Sequence, residues 1–210
     1  MYMTHHNRTQ TQNAGIALLM TMMVLGVVLA VTLAIVELSL QQLALSVDSK
    51  DSEIAFHAAN AGLECARYTR RNASSSFETL LPATIPVNCF GVTSPDFTKQ
   101  SQAADGIEIV PGSGAGSVWR YSTALTWAGG TRCSVMDIIS IKVDAAATAD
   151  LTIRADGTKS LKTIFPGYPT DTKACAPGAV CTIASVAGYN AACAAKDSAG
   201  VLKRQVLLEF

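Results

Sequence analysis

The chain has 210 residues, a length that favours one domain plus an appendage over two full domains. Its 16 basic and 16 acidic side chains cancel, which leaves no basic field to gather nucleic acid and no acidic field to steer cations. The hydrophobic share of 49% is concentrated near the N-terminus, and the Ala-, Thr-, Ser- and Gly-rich remainder holds apolar residues for one small core.

Residues 1–15 form a short, mostly polar segment that ends in Gly15. From Ile16 to Val36 there is no charge and no proline. As a helix this stretch is roughly 30 Å long, the thickness of a bilayer's hydrocarbon core. Thr21 and Thr32 can return their hydroxyls to the helix's own carbonyls, so neither opposes insertion. Residues 16–36 therefore read as a membrane span. A secretory signal peptide would have a shorter apolar core and a small-x-small exit, which is missing before Glu37. An uncleaved N-terminal anchor remains an alternative. Arg8 before the span, against Asp48, Lys50 and Asp51 after it, biases the N-terminus only slightly toward the cytoplasm.

Nothing between Glu37 and Arg71 breaks a helix: there is no proline, and the only glycine is Gly62. Leu38, Leu45, Ala55, Ala59, Gly62 and Ala66 recur among polar residues at helical spacings, which predicts an amphipathic continuation of the span. One helix over residues 16–71, roughly 80 Å long, results. Ile54, Ala58, Ala61 and Cys65 share a face with Gly62 beside them. Such small side chains let another layer approach the helix backbone closely.

After Arg71, "NASSS" reads as the end of the helical pattern, and Pro82 and Pro86 mark a loop. Asn72-Ala73-Ser74 matches a glycosylation sequon by chance, since no eukaryotic secretory signal accompanies it. Residues 72–210 read as a β-rich outer domain. "VNCFGV" (87–92) and "GIEIV" (106–110) are brief strands, and "GSGAG" (112–116) is a turn. "VWRYSTALTW" (118–127) is the clearest strand, with Trp119, Tyr121, Thr123, Leu125 and Trp127 on one face at period two. That stripe reads as core rather than as a carbohydrate platform. "SVMDIISIKV" (134–143) follows, and "ADLTIRADGTKSLKTIF" (149–165) reads as a hairpin turning at Asp156-Gly157. "CTIASVAGYN" (181–190) and "VLKRQVLLEF" (201–210) close the meander. Leu202, Val206, Leu208 and Phe210 share a face, so the last strand is expected in the core. The fold class is α+β, a long helix with an antiparallel sheet.

Cys65, Cys89, Cys133, Cys175, Cys181 and Cys193 all follow the apolar run, and their even number implies disulfides in an oxidising compartment. No CxxC pair occurs, and only His5, His6 and His57 could add imidazoles, which argues against zinc. Six cysteines permit many pairings, and the sequence alone does not choose among them. Loop closure and placement favour Cys175 with Cys181 across "APGAV", Cys65 with Cys89, and Cys133 with Cys193.

No phosphate loop, GxSxG elbow, HExxH or paired-acid signature is present. His57 lies on the long helix, and His5 and His6 lie on the leader, so a nucleophilic triad lacks a base in the outer domain. Asp150 and Asp156 stand without the dense acids of a calcium loop. The expectation is no enzyme, no cofactor and no metal.

The run "GIALLMTMMVLGVVLAVTLAIVELSLQQLALSVDSKDSEIAFHAANAGLECARYTRR" resembles the N-terminal module of PilX-type minor pilins of bacterial type IV pili. The matching residues are Asp51, Ser52, Ala55, Phe56, Ala58, Ala59, Ala61, Gly62, Glu64, Cys65 and Ala66. "GYN" (188–190), Cys193 and the closing "KRQVLLEF" resemble the end of such pilins more loosely. The resemblance implies a pilin-like lollipop, with the outer half of the helix packed on a β-sheet. "NAG/IALLM" resembles a prepilin junction, which implies cleavage between Gly15 and Ile16 by prepilin peptidase and methylation of the new N-terminus, Ile16. Residence in the inner membrane, assembly with other pilin subunits through the helix, and an extracellular filament follow from the same likeness. The outer domain would then face the medium, where contact with surfaces or DNA is open.

One position departs from the family. Most pilins carry Glu at mature position five, where it neutralises the terminal ammonium of a neighbouring subunit. Here that residue is Met20, and no acid appears before Glu37. A buried ammonium without a partner is costly, so a subunit lacking the acid suits a place with nothing ahead of it. The family's tip-located subunits also lack it. The resemblance thus implies a minor, tip-proximal or initiating subunit. A type II secretion pseudopilin is the first alternative, and an uncleaved anchored binding module using the Trp119–Trp127 strand is the second.

Overall fold

A computed structural model describes residues 10–79, 82–89, 92–93, 95–100, 106–155 and 160–210, with side chains from residue 15 on except at 92 and 93. One helix, α1 (Gln10–Asn72), runs unbroken through the apolar and amphipathic stretches and begins upstream of Gly15. Arg70 and Arg71 occupy its last turn, where cations suit the unpaired carbonyls. The chain divides into two compact units, Met1–Ser49 and Lys50–Phe210. In the first, the described part is helix alone.

The second unit opens with the remainder of α1. At Ala73 the helix is interrupted, and α2 (Ser74–Thr79) resumes it, so "NASSS" does not end the helical course. The cause is Phe77. Its ring is fully buried between Phe97 and Tyr121, with centroids at 6.4 and 5.3 Å, and seating it there draws the serines into a turn. The Ala73 N–H still donates to Thr69 O at 2.8 Å, which keeps the two helices in near continuity.

The principal sheet has six antiparallel strands in the order β1 (Thr84–Ile85), β4 (Phe97–Lys99), β6 (Gly116–Trp127), β7 (Arg132–Val143), β10 (Val180–Tyr189) and β11 (Lys203–Glu209). A ribbon of β2 (Asn88–Cys89) and β3 (Val92–Thr93) lies between β1 and β4 in sequence. A second sheet joins β5 (Ile107–Ile109), β8 (Leu151–Ala155) and β9 (Thr172–Cys175). The long β6–β7 hairpin turns through Ala128–Gly130, where Gly129 and Gly130 take positive φ that other side chains resist.

The two largest of three buried clusters lie on the two faces of the six-stranded sheet, and the third gathers Cys133, Ala187 and Tyr189. Alternation along β7 sends Met136 and Ile138 to a core shared with Cys65, Ala66, Phe77, Phe97, Tyr121 and Leu125. Ile139, Ile141 and Val143 go to a second core with Ile107, Leu151, Ile153, Leu161 and Phe165. A strand buried on both sides reads as a nearly continuous apolar run, which is how "SVMDIISIKV" reads.

Two expectations need correction, the second only in part. Residues 149–165 do not form a hairpin: β8 pairs instead with β5 and β9, and the chain then enters α3 (Leu161–Ile164). Ser160 caps that turn by accepting the Lys162 N–H at 3.1 Å, while Leu161 and Phe165 bury into the second core. Asp156 and Gly157 lie outside the described residues. The last strand, β11, packs Val206 and Leu208 against the first core as expected, but it lies at the edge of the sheet. Val206 and Leu208 are half-buried, and Phe210 is exposed, because the strand has a neighbour on one side only.

Candidate functional site

The first feature is the apolar helix. Its large apolar side chains from Ile16 to Val47 are 52–69% exposed, and none of the described residues covers them. Three hydroxyls of this stretch are internally satisfied, Thr21 donating to Leu18 O at 2.8 Å, Thr32 to Leu29 O at 2.9 Å and Ser39 to Ile35 O at 2.8 Å, and within residues 16–36 the two threonines are the only polar side chains. With its backbone bonded within the helix and its few hydroxyls returned to it, the segment meets the requirements of a hydrocarbon solvent. It is a candidate membrane-spanning segment by length and composition. Gly15 and Ile16 lie on this helix, and nothing comes within 4 Å of a side chain built at Gly15. Met20 is 61% exposed, with Glu37 the first acid after it.

The second feature is the seat of residues 50–72 of α1 on the sheet. The buried stripe is Ala55, Ala58, Ala59, Gly62, Cys65, Ala66 and Thr69. Ala55, Ala58, Ala59, Gly62, Cys65 and Ala66 belong to it as the spacing suggested, whereas Ile54 and Ala61 flank it and are only partly covered. The sheet approaches the helix main chain itself. At Gly188 a β-carbon would stand 2.1 Å from Ala55 O and 2.2 Å from Ala59 N. At Gly62 it would stand 2.7 Å from Val186 Cγ1 and 2.8 Å from Ser134 Cβ. Only glycine fits either place. The contact is then fastened by a polar bridge: Trp127 Nε1 donates to Ser134 Oγ at 2.6 Å, and Ser134 Oγ donates to the Ala58 carbonyl. At the far end Arg70 Nε donates to Thr182 Oγ1 at 3.1 Å, and its guanidinium stands 5.5 Å from the Phe77 ring centre.

The aromatic stripe of β6 is accounted for by this packing. Tyr121 and Leu125 are fully buried, Trp119 and Trp127 pack against the same core, and Lys99 Nζ sits 3.5 Å from the Trp119 ring centre. All six cysteines are bonded, Cys65 to Cys89, Cys133 to Cys193 and Cys175 to Cys181. The first fixes the buried face of α1 to β2, and the second anchors the start of β7 to a turn after β10.

Ionisable groups inside the second unit serve the fold. Burial raises the Asp137 carboxyl, and Arg120, bonded to it at 3.1 Å, only partly offsets this. Burial also raises the Tyr168 hydroxyl, with its hydrogen bond to Glu209 adding to the effect. Glu209 itself is held low: burial raises it, but bonds from Lys173 and Tyr168 prevail. A cleft of about 420 Å³ lies among Arg67, Arg70, Arg71, Ser74 and residues 208–210. Two of its three cations are engaged within the chain, Arg67 with Glu64 at 2.9 Å and Arg70 with Glu78 at 3.6 Å. Among the described residues no three His, Cys, Asp or Glu side chains are grouped to hold a metal.

No family model, curated protein or solved structure matches the chain. Its architecture stands on its own features, and these fit a general pilin-like plan. An apolar N-terminal helix continues without a break into a helix packed on an antiparallel sheet, and disulfides fasten the globular part.

Proposed function

We propose that the protein is a minor, tip-proximal or initiating structural subunit of a bacterial type IV pilus. Prepilin peptidase cuts it between Gly15 and Ile16, Ile16 is methylated, and the apolar helix carries it from the inner membrane into an extracellular filament with other pilin subunits. The observation that carries this reading is the continuity of α1. A domain merely tethered to a membrane needs a linker after its span. Here the helix goes on past the apolar segment, and its outer turns are built into the core. A rod of that kind can exchange lipid for the apolar helices of other subunits by side-chain packing alone. Three disulfides suit a domain exposed to an oxidising medium.

The reading gives the protein no enzymatic role. It also explains Met20: a subunit with nothing ahead of it meets no neighbouring ammonium, so an apolar side chain there costs nothing. A binding module using the β6 aromatics is the weaker reading, since Tyr121 is fully buried and Trp119 is capped by Lys99. A type II secretion pseudopilin would share the same physics and differ in the machine served.

Mass spectrometry of the N-terminus in sheared surface filaments tests the proposal. It requires a chain that starts at methylated Ile16. A chain starting at Met1 and absent from filaments would overturn it. Met20→Glu is expected to alter incorporation or position along the filament, and unchanged incorporation would remove the tip assignment while leaving the pilin reading intact.

A further inference from the structure

The outer edge of β11 is open and regular. Phe210 N–H donates to Thr182 O at 3.0 Å and Thr182 N–H donates to Phe210 O at 2.6 Å, so these two residues form a hydrogen-bonded pair. Such pairs alternate along an antiparallel ladder. With Ala184 opposite Leu208, Val186 opposite Val206 and Gly188 opposite Arg204, those three residues of β11 turn their backbone groups inward to β10. Lys203, Gln205, Leu207 and Glu209 turn theirs outward. Among the described residues, no strand or backbone bond meets these donors and acceptors. The strand has no proline and an unbroken register, so the usual devices that blunt an edge are missing along its centre.

We propose that this edge is a homotypic interface, in which two copies pair β11 to β11, antiparallel, about a two-fold axis at Val206. Lys203 and Glu209 lie three residues either side of Val206, and Gln205 and Leu207 lie one residue either side. In this register Lys203 therefore faces Glu209 of the second copy, and Gln205 faces Leu207. Every outward donor and acceptor on both copies finds a partner, and at both ends of the ladder Lys203 joins a Glu209 carboxylate that already accepts from Lys173 of its own copy at 2.7 Å. A shift by two residues leaves end groups unbonded and breaks both ion pairs, so charge and hydrogen bonding select the same register. Half-buried Val206 meets its own copy across the axis and gains cover.

The axis stands normal to the sheet. Residues 50–72 of α1 run antiparallel to β10, since Ala55 and Ala59 sit at Gly188, Gly62 at Val186, and Arg70 at Thr182. The two copies' helical segments consequently run in opposite directions. The contact joins oppositely oriented copies rather than copies aligned side by side, and it is separate from assembly through the apolar helix.

Carbodiimide treatment of the full chain in detergent micelles tests the pairing, because this reagent joins an amine directly to a carboxylate. Within one copy Lys203 and Glu209 are at opposite ends of the strand, roughly 20 Å apart, so a link between them forms only between copies. The expected product is a Lys203–Glu209 cross-linked peptide. The Lys173–Glu209 pair, at 2.7 Å within one copy, supplies the internal control for reactivity. Gln205→Pro removes an outward N–H and spares the β10 ladder, and it is expected to abolish the inter-copy link. Val206→Lys places two ammonium groups at the axis and is expected to do the same. Ser185→Ala removes only the side-chain bond from Gln205 at 2.7 Å and is expected to keep the link. Absence of the link in the unaltered chain, or its undiminished yield in either folded disrupting variant, overturns the proposal.

Discussion

The hydroxyl of Ser134 stands between the Trp127 indole and the main chain of α1, accepting from one and donating to the other. Ser134→Ala removes both bonds of this bridge and unfastens the helix, a loss expected to cost about 1–3 kcal/mol in denaturant unfolding. Gly188→Ala is expected to cost more, about 3 kcal/mol or above, because its new carbon meets backbone atoms that cannot move aside. Tyrosine titration sets the alkaline limit. Tyr168, raised by burial and by Glu209, and Tyr121 and Tyr189, raised by burial, hold their protons more tightly when folded. The stability they contribute is whole below the ordinary tyrosine value and drains away as pH rises past about 10. A urea midpoint measured from about pH 9 to about pH 11 should therefore fall, and Tyr168→Phe should flatten the fall. Glu209 acts at the other end: held low when folded, it contributes stability above its unfolded value that is lost as pH drops through the folded one.

Among the elements, the disulfides differ in the length of chain they close. Sequence separations of 60, 24 and 6 residues belong to Cys133–Cys193, Cys65–Cys89 and Cys175–Cys181. Chain entropy ranks their contributions at about 4.3, about 3.4 and about 2.2 kcal/mol. Pairwise Cys→Ala variants, compared in thermal or denaturant unfolding, should lose stability in that order. The same elements show what a linear sequence conveys. Period-two alternation marks β6 because its two faces differ in environment, and the tight spacing of Cys175 and Cys181 around a Pro-Gly turn names a plausible pair. Nothing local marks the last strand as an edge, since Val206 and Leu208 alternate as they would in a core; only the absence of an outer neighbour exposes it. Nor does "DGTKSLKTIF" announce a helical turn. Its strand-like residues are overruled by the Ser160 cap and by a second sheet whose existence depends on pairing three distant segments.

At the scale of the molecule, the long helix was the most legible part, because a break-free stretch of apolar and then amphipathic spacing has few other solutions. Its exact face was less so: alanines crowd both the right stripe and its flank, and the deciding atoms at Gly188 and Ser134 belong to strands more than seventy residues away. The apolar half makes a direct prediction. Leu25→Arg sets a charge near mid-span and should oppose insertion by about 3 kcal/mol, read as loss of the chain from the carbonate-washed membrane fraction.

The sheet holds α1 chiefly by its main chain and its smallest side chains, through the Ala58 carbonyl, the backbone at Ala55 and Ala59, and Gly62. Glu53, Phe56, His57, Glu64 and Tyr68 on the opposite side remain exposed and are not part of that grip. Their chemistry is consequently decoupled from the domain's integrity: the outward surface of the rod can drift toward a new neighbour while the joint beneath it stays fixed.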